Sequence, residues 1–184
     1  MSWKIDSAHS QFQFTVRHMM ISNVRGWFER FSGTVEFDEK DPVRSRMDLQ
    51  VEAASINTKE PKRDDHLRSP DFFNAAQYPY LTYKSRRVEK VDATHGRVIG
   101  DLIIRDVSHE VVLDVEYTGQ AKSPWGTMSA GFNAQTKISR KRWGLNWNQA
   151  LETGGVLVGD EITIDIEMEI VKQAEPTQVE AVAD

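Results

Sequence analysis

The chain has 184 residues, 23 Lys and Arg against 28 Asp and Glu, a formal net charge of −5 and no cysteine. One domain with a sizeable core suits that length, and 39% hydrophobic residues exclude disorder for the bulk of the chain. The acidic balance argues against binding a phosphate backbone, which runs on Lys and Arg, and the missing cysteines remove disulfides, thiolate metal sites and cysteine nucleophiles.

The chain opens Met1-Ser2-Trp3-Lys4-Ile5-Asp6, with no apolar stretch of signal-peptide length, so a cytoplasmic location is expected. From there the dominant pattern is alternation with period two, the mark of strands with one dry face. Phe12, Phe14 and Val16 interleave with polar residues from Gln11 to His18. Trp27, Phe31, Gly33, Val35 and Phe37 share the next parity, and Met47, Leu49, Val51 and Ala53 the third. Between them and the next strands, Lys59 to Leu67 reads as a short helix, with Thr58 as its cap, Pro61 in its first turn and an end near Ser69-Pro70. Asp71-Phe72-Phe73 comes directly after it, so the helix would lie across an end of the sheet like a lid. Alternation resumes at Leu81 and Tyr83, then Val98 to Ile104, Val111 to Tyr117, Met128 to Ala134 and, most regularly, Ile162 to Ile170.

About eight such segments, separated by Asp41-Pro42, His95-Gly96 and Gly154-Gly155, predict an all-β antiparallel domain, either a sandwich or a closed barrel. Residues 1–171 form this domain. Residues 172–184 are polar, aperiodic and contain Pro176, and read as a tail. No run nears the ~20 apolar residues of a spanning helix.

No phosphate-cradling glycine loop, nucleophile elbow or paired-histidine zinc motif is present. His9, His18 and His66 would make a metal or catalytic site only by converging from separate elements, and ordinary surface histidines are the simpler reading. Lys141-Arg142 beside Trp143 and Trp147 resembles a basic-aromatic nucleic-acid surface, but the net charge opposes it. The aromatic set from Phe12 to Phe132 fills either a solid core or the wall of a pocket, because a barrel of ~8 strands has just enough bore for one apolar ligand. Small inward residues, namely Gly33, Ala53, Gly100, Ala130 and Ala134, leave room for one.

Taken in order, several motifs resemble the YceI family of lipocalin-like polyisoprenoid-binding proteins. They are Trp3-Lys4-Ile5-Asp6 with His9-Ser10, Phe12 to His18, Gly26-Trp27-Phe28, Phe31-Ser32-Gly33, Ala54 to Thr58, Arg63 to Leu67, Ser69 to Phe73, Tyr78-Pro79, Ser85, Gly100-Asp101-Leu102, Arg140 with Gly144-Leu145, and Val158-Gly159-Asp160. The resemblance spans about residues 3 to 171. It implies an eight-stranded antiparallel lipocalin-like barrel with a short helix near its opening, around an apolar tunnel for a polyprenyl phosphate or isoprenoid quinone. Two positions depart from the family. Asp106 stands where many relatives have glycine, and Trp143 where a smaller aromatic is usual, which would shorten the tunnel if it points inward.

On this reading the protein is a non-enzymatic carrier or store of a long-chain isoprenoid, with no cofactor beyond that lipid and a homodimer as one assembly allowed. Parity and size place Phe12, Phe14, Val16, Phe31, Leu49, Phe73, Leu81, Tyr83, Leu102, Phe132, Ile166 and Met168 along the bore. Arg63, His66 and Arg68 of the helix are the residues expected to meet a headgroup at the mouth. The competing readings are a hydrolase or isomerase using the histidines, and a solid interaction module.

Overall fold

A computed structural model describes residues 2–174. In chain order its elements are β1 (Ser2–Ile5), β2 (Gln11–His18), β3 (Ser22–Phe28), β4 (Phe31–Glu36), β5 (Arg46–Glu52), β6 (Ile56–Asn57), α1 (Pro61–Arg68), β7 (Tyr80–Lys90), β8 (His95–Ile104), β9 (Val107–Lys122), β10 (Met128–Ser139) and β11 (Val158–Lys172). Every strand pairing is antiparallel.

Eight strands close into a barrel in the order β1-β4-β5-β7-β8-β9-β10-β11, with β11 returning to β1. Closure leaves these strands no free edge. The closing strand β11 is long enough to serve two partners along one edge. Its last residues pair with β1, Ile170 opposite Ile5, and its first half pairs with β2, Ile166 opposite Phe12 and Ile162 opposite Val16. The barrel is therefore sealed by β1 at one end and widened at the other by β2, β3 and the two-residue β6. The sealed end is packed by Trp3, Val35, Ala130 and Ile170, all buried.

The sequence places one strand across Trp27 to Phe37, but the chain breaks it into β3 and β4 at Glu29-Arg30. The break resets the parity. Phe28 faces the bore, while Trp27 lies outside with the Lys59 ammonium 5.3 Å from its ring centroid. His95, expected in a turn with Gly96, opens β8.

The helix begins two residues later than expected, because Lys59 takes a left-handed φ of 62° that Thr58 cannot follow as a cap. Glu60 caps instead, its carboxylate accepting from the Arg63 N–H at 2.6 Å, and Pro61 occupies the first turn. At the other end of the chain β11 continues through Lys172 opposite Trp3, and the Gln173 N–H donates to the Ser2 carbonyl. The barrel thus reaches past the expected boundary at 171, and the rest of the predicted tail, from 175, lies outside the described residues.

Candidate ligand-binding site

The barrel interior holds two chambers. The first, about 180 Å³, lies at the widened end. Its wall combines Phe12, Phe14 and Val16 of β2, Phe28 of β3, Leu81 and Tyr83 of β7, Leu102 and Ile104 of β8, and Ile162, Ile164 and Ile166 of β11. The second, about 430 Å³, lies toward the sealed end among Val35, Phe37, Met47, Val98, Tyr117, Phe132 and Met168, with polar residues such as Glu39, Lys40 and Lys90 at its rim. Leu49 of β5, Leu113 of β9 and Ile166 of β11 belong to both walls, so these three side chains form a waist between the chambers.

Leu67, Phe72 and Phe73 of the α1 segment cover the first chamber. An eight-residue helix is too short to persist unaided, and polar contacts fasten it. Buried Asp64 accepts from the Thr58 N–H at 2.9 Å and its hydroxyl at 2.6 Å. Phe73 meets Phe28 edge-on at 5.9 Å, and His66, Phe72 and Trp147 pack as a ring cluster with centroids 4.5 to 5.5 Å apart. Trp147 therefore turns toward the lid rather than forming a basic-aromatic surface with Lys141-Arg142.

Arg140 is the charged member of the first chamber's wall among the described residues, and it is 3% exposed. Its guanidinium donates to the carbonyls of Leu145, Trp147, Val158 and Gly159 at 2.6 to 3.2 Å, which pins the segment beside the lid to the start of β11. Burial pushes its pKa below the ordinary arginine value, with Asp160 opposing. The four carbonyls satisfy the charge locally, so it serves as a brace.

Of the residues expected along the bore, Phe12, Phe14, Val16, Leu49, Phe73, Leu81, Tyr83, Leu102 and Ile166 line the first chamber, while Phe132 and Met168 line the second. Phe31 lines neither; its ring packs on Phe12 at 4.5 Å. The room expected from small residues is mostly taken. A Cβ at Gly33 would stand 2.9 Å from Leu49 Cδ2, and one at Gly100 2.8 Å from Tyr83 Cζ, so those glycines make space for larger neighbours; of the five, Ala134 lines a chamber. Trp143 is buried but lines neither chamber, its indole N–H donating to the Leu102 carbonyl at 3.0 Å. Asp106, which stands where many relatives have glycine, is not the left-handed residue of its turn; that conformation falls on Arg105 (φ 58°), which reaches the Phe72 carbonyl.

Each of the three headgroup residues makes polar contacts within the chain. Arg63 donates to the Thr58 hydroxyl and carbonyl, Arg68 to the Ala54 and Ile56 carbonyls and to Asp65, and His66 Nε2 lies 2.9 Å from Asp71 Oδ2. His9, His18 and His66 do not converge. The metal-competent cluster among the described residues is Asp6, His9 and Glu169 at the surface, where the 2.8 Å contact raises the His9 pKa and lowers that of Asp6. Among the described residues the first chamber has no histidine in its wall.

Sequence reasoning missed many wall residues, among them Phe28, because of the parity break, Ile104, Ile162 and Ile164, which carried the right alternation, and Leu113 with its contribution to the waist. Leu113 carried the right alternation, but its level in the bore depends on the pairing of β9 with β8 and β10.

Comparison with known proteins agrees with this architecture. UPF0312 proteins of Staphylococcus aureus, among them those of strains bovine RF122 / ET3-1 and N315, are 36% identical over 169 residues, covering 91% of this chain and 96% of their own length. A YCEI protein of Campylobacter jejuni superposes with a TM-score of 0.75 at 34% identity, covering 86% of this chain and 90% of that one. BcnA of Burkholderia cenocepacia (TM-score 0.79, 21% identity, 90% and 98% covered) and a polyisoprenoid binding domain from Saccharophagus degradans (0.65, 15%, 93% and 98%) share the fold. The YceI-like domain model matches residues 3–170. With a closed eight-stranded barrel, a lid helix and that match along nearly its whole length, the chain belongs to the YceI-like domain family.

Proposed function

We propose that this protein is a non-enzymatic carrier or store of a long-chain isoprenoid, a polyprenyl phosphate or an isoprenoid quinone, whose tail lies through the two chambers. One observation carries the reading: the first chamber is walled by aliphatic and aromatic side chains, meets the second at a purely aliphatic waist, and has as its charged member an arginine already satisfied by four carbonyls. Such a wall offers contact area and little directional chemistry. Each CH₂ withdrawn from water gains about 0.8 kcal/mol, so about three branched C5 units offset several kcal/mol of association cost and still reach micromolar affinity. The polyisoprenoid binding domain that shares the fold supports the same ligand class.

Affinity then resides in the tail. Arg63, His66 and Arg68 are bonded to their own chain, so a headgroup reaching them must displace those bonds and gains little. A prenol and its phosphate of equal chain length are expected to bind within about three-fold of each other. Native mass spectrometry of freshly purified protein, with organic extraction of the same sample, tests the reading. A released polyprenyl species is the expected result. A clean apo mass, with no uptake of added prenol, would overturn it, and turnover of the added lipid would favour the enzyme instead.

A further inference from the structure

The geometry points to the β2–β3 hairpin tip as a membrane-docking element that inserts into the interface of a lipid bilayer. The inference rests on the carrier reading, since a ligand of that class resides in membranes. The tip is a β-turn closed by the Ile21 N–H donating to the His18 carbonyl at 3.2 Å, with Met19 at φ 53° and Met20 at φ 64°. Positive φ at both central residues is the pattern of a type I′ turn, for which Asn-Gly is the favoured pair. Methionine is poorly suited to that backbone, and the side chains at the tip stay largely open to solvent, Met19 being 43% exposed, Met20 55% and the following Ile21 76%. Val156, 39% exposed, belongs to the neighbouring segment, where the Met19 N–H donates to the Leu157 carbonyl and the Met20 side chain lies against Gly155.

Position argues for function. From Phe12 at the waist, β2 runs past Phe14 and Val16 in the wall of the first chamber to the tip, so the exposed residues stand beyond the widened end of the bore. Arg17 and Arg25 flank the tip on the outer face of the hairpin, both exposed and without an ion pair among the described residues, with Glu152 as the acid of the adjoining segment. Two arginines around an apolar point suit an anionic bilayer surface. A second copy of the chain fits less well. Four partly exposed apolar side chains, three at the convex turn and one beside it, amount to roughly a few hundred Å², well below the ~1,000 Å² a specific protein interface needs.

The double substitution Met19→Asn with Met20→Gly separates the two demands on the turn, because it supplies the residues the backbone favours while removing the apolar point. Vesicles of equal parts phosphatidylcholine and phosphatidylglycerol are floated with the full chain, and urea unfolding is measured in parallel. The expected result is wild-type protein in the vesicle layer, about ten-fold less of the double variant there, and an unfolding midpoint that rises. Undiminished vesicle binding by the variant would overturn the inference, as would wild-type protein that stays in solution, or self-association of the wild type that the variant abolishes. Lipid extracted from the same preparations reports on the carrier reading separately: vesicle binding through the tip by a protein without isoprenoid would sink that reading and leave the docking element standing.

Discussion

Tyr83 extends from β7 along the inner wall over the neighbouring β8, and its ring occupies the space that the missing side chain of Gly100 leaves there. Its hydroxyl lies 3.0 Å from the carbonyls of both Val98 and Val111, a donor shared between β8 and β9. Burial pushes the phenol well above the ordinary tyrosine range, with the Asp101 charge adding to the effect, so the group stays a neutral donor. A methyl group at position 100 would press on the ring and on the Lys84 carbonyl of β7, and a paired backbone cannot retreat as a flexible side chain can. Gly100→Ala is therefore expected to lower stability by about 1–3 kcal/mol, the usual cost of overpacking a core. Urea unfolding measures it, and an unchanged midpoint would mean that β7 and β8 are less tightly apposed than their register implies.

Among the elements, α1 is the one held to the barrel by polar bonds rather than by a sheet ladder. Its attachment runs through Asp64 to Thr58, Arg68 to the Ala54 and Ile56 carbonyls, and Leu67 with Phe72 and Phe73 over the first chamber. Asp64→Ala strands the buried Thr58 N–H and hydroxyl, at a cost of about 2 kcal/mol. Because the strands keep their own bonds, the loss is expected to appear as faster amide exchange across 61–75, with β8 to β10 still protected; uniform acceleration would mean that lid and barrel unfold together. This element was legible in the sequence because Pro61, the charged run and Ser69-Pro70 are local signals. The break at Glu29-Arg30 was not. A two-residue connection between apolar segments preserves the look of alternation while reversing which parity faces inward. Ahead of the break Phe28 rather than Trp27 joins the bore, while Val35 and Phe37 beyond it keep the inward face. The bore residues of β2 and β11 were readable because each lies on an unbroken run, whereas Phe31 keeps the inward parity of Val35 and falls outside both chambers because its ring is taken up against Phe12.

At the scale of the molecule, the waist is where sequence reading runs out. Leu49, Leu113 and Ile166 are 64 and 53 residues apart along the chain, and their meeting depends on how β5, β9 and β11 are staggered around a closed barrel, which alternation within one strand does not encode. The waist also decides what the protein can hold. If a tail must pass it to use both chambers, its bore sets chain-length preference, and the two directions of substitution have opposite consequences. Leu113→Phe adds bulk at the neck and confines a ligand to the first chamber: affinity for a long prenol is expected to fall about ten-fold while that for a short one changes little. Leu113→Ala opens the neck at a stability cost of about 2–5 kcal/mol and shifts preference toward longer chains, with lipid-free unfolding measured alongside to separate that cost from binding. Competition of prenols of graded length against a fluorescent prenyl probe reads both effects. A parallel loss of affinity for every length in the Phe variant would mean that the second chamber takes no part of the ligand, and the tail would then have to lie in the first chamber alone.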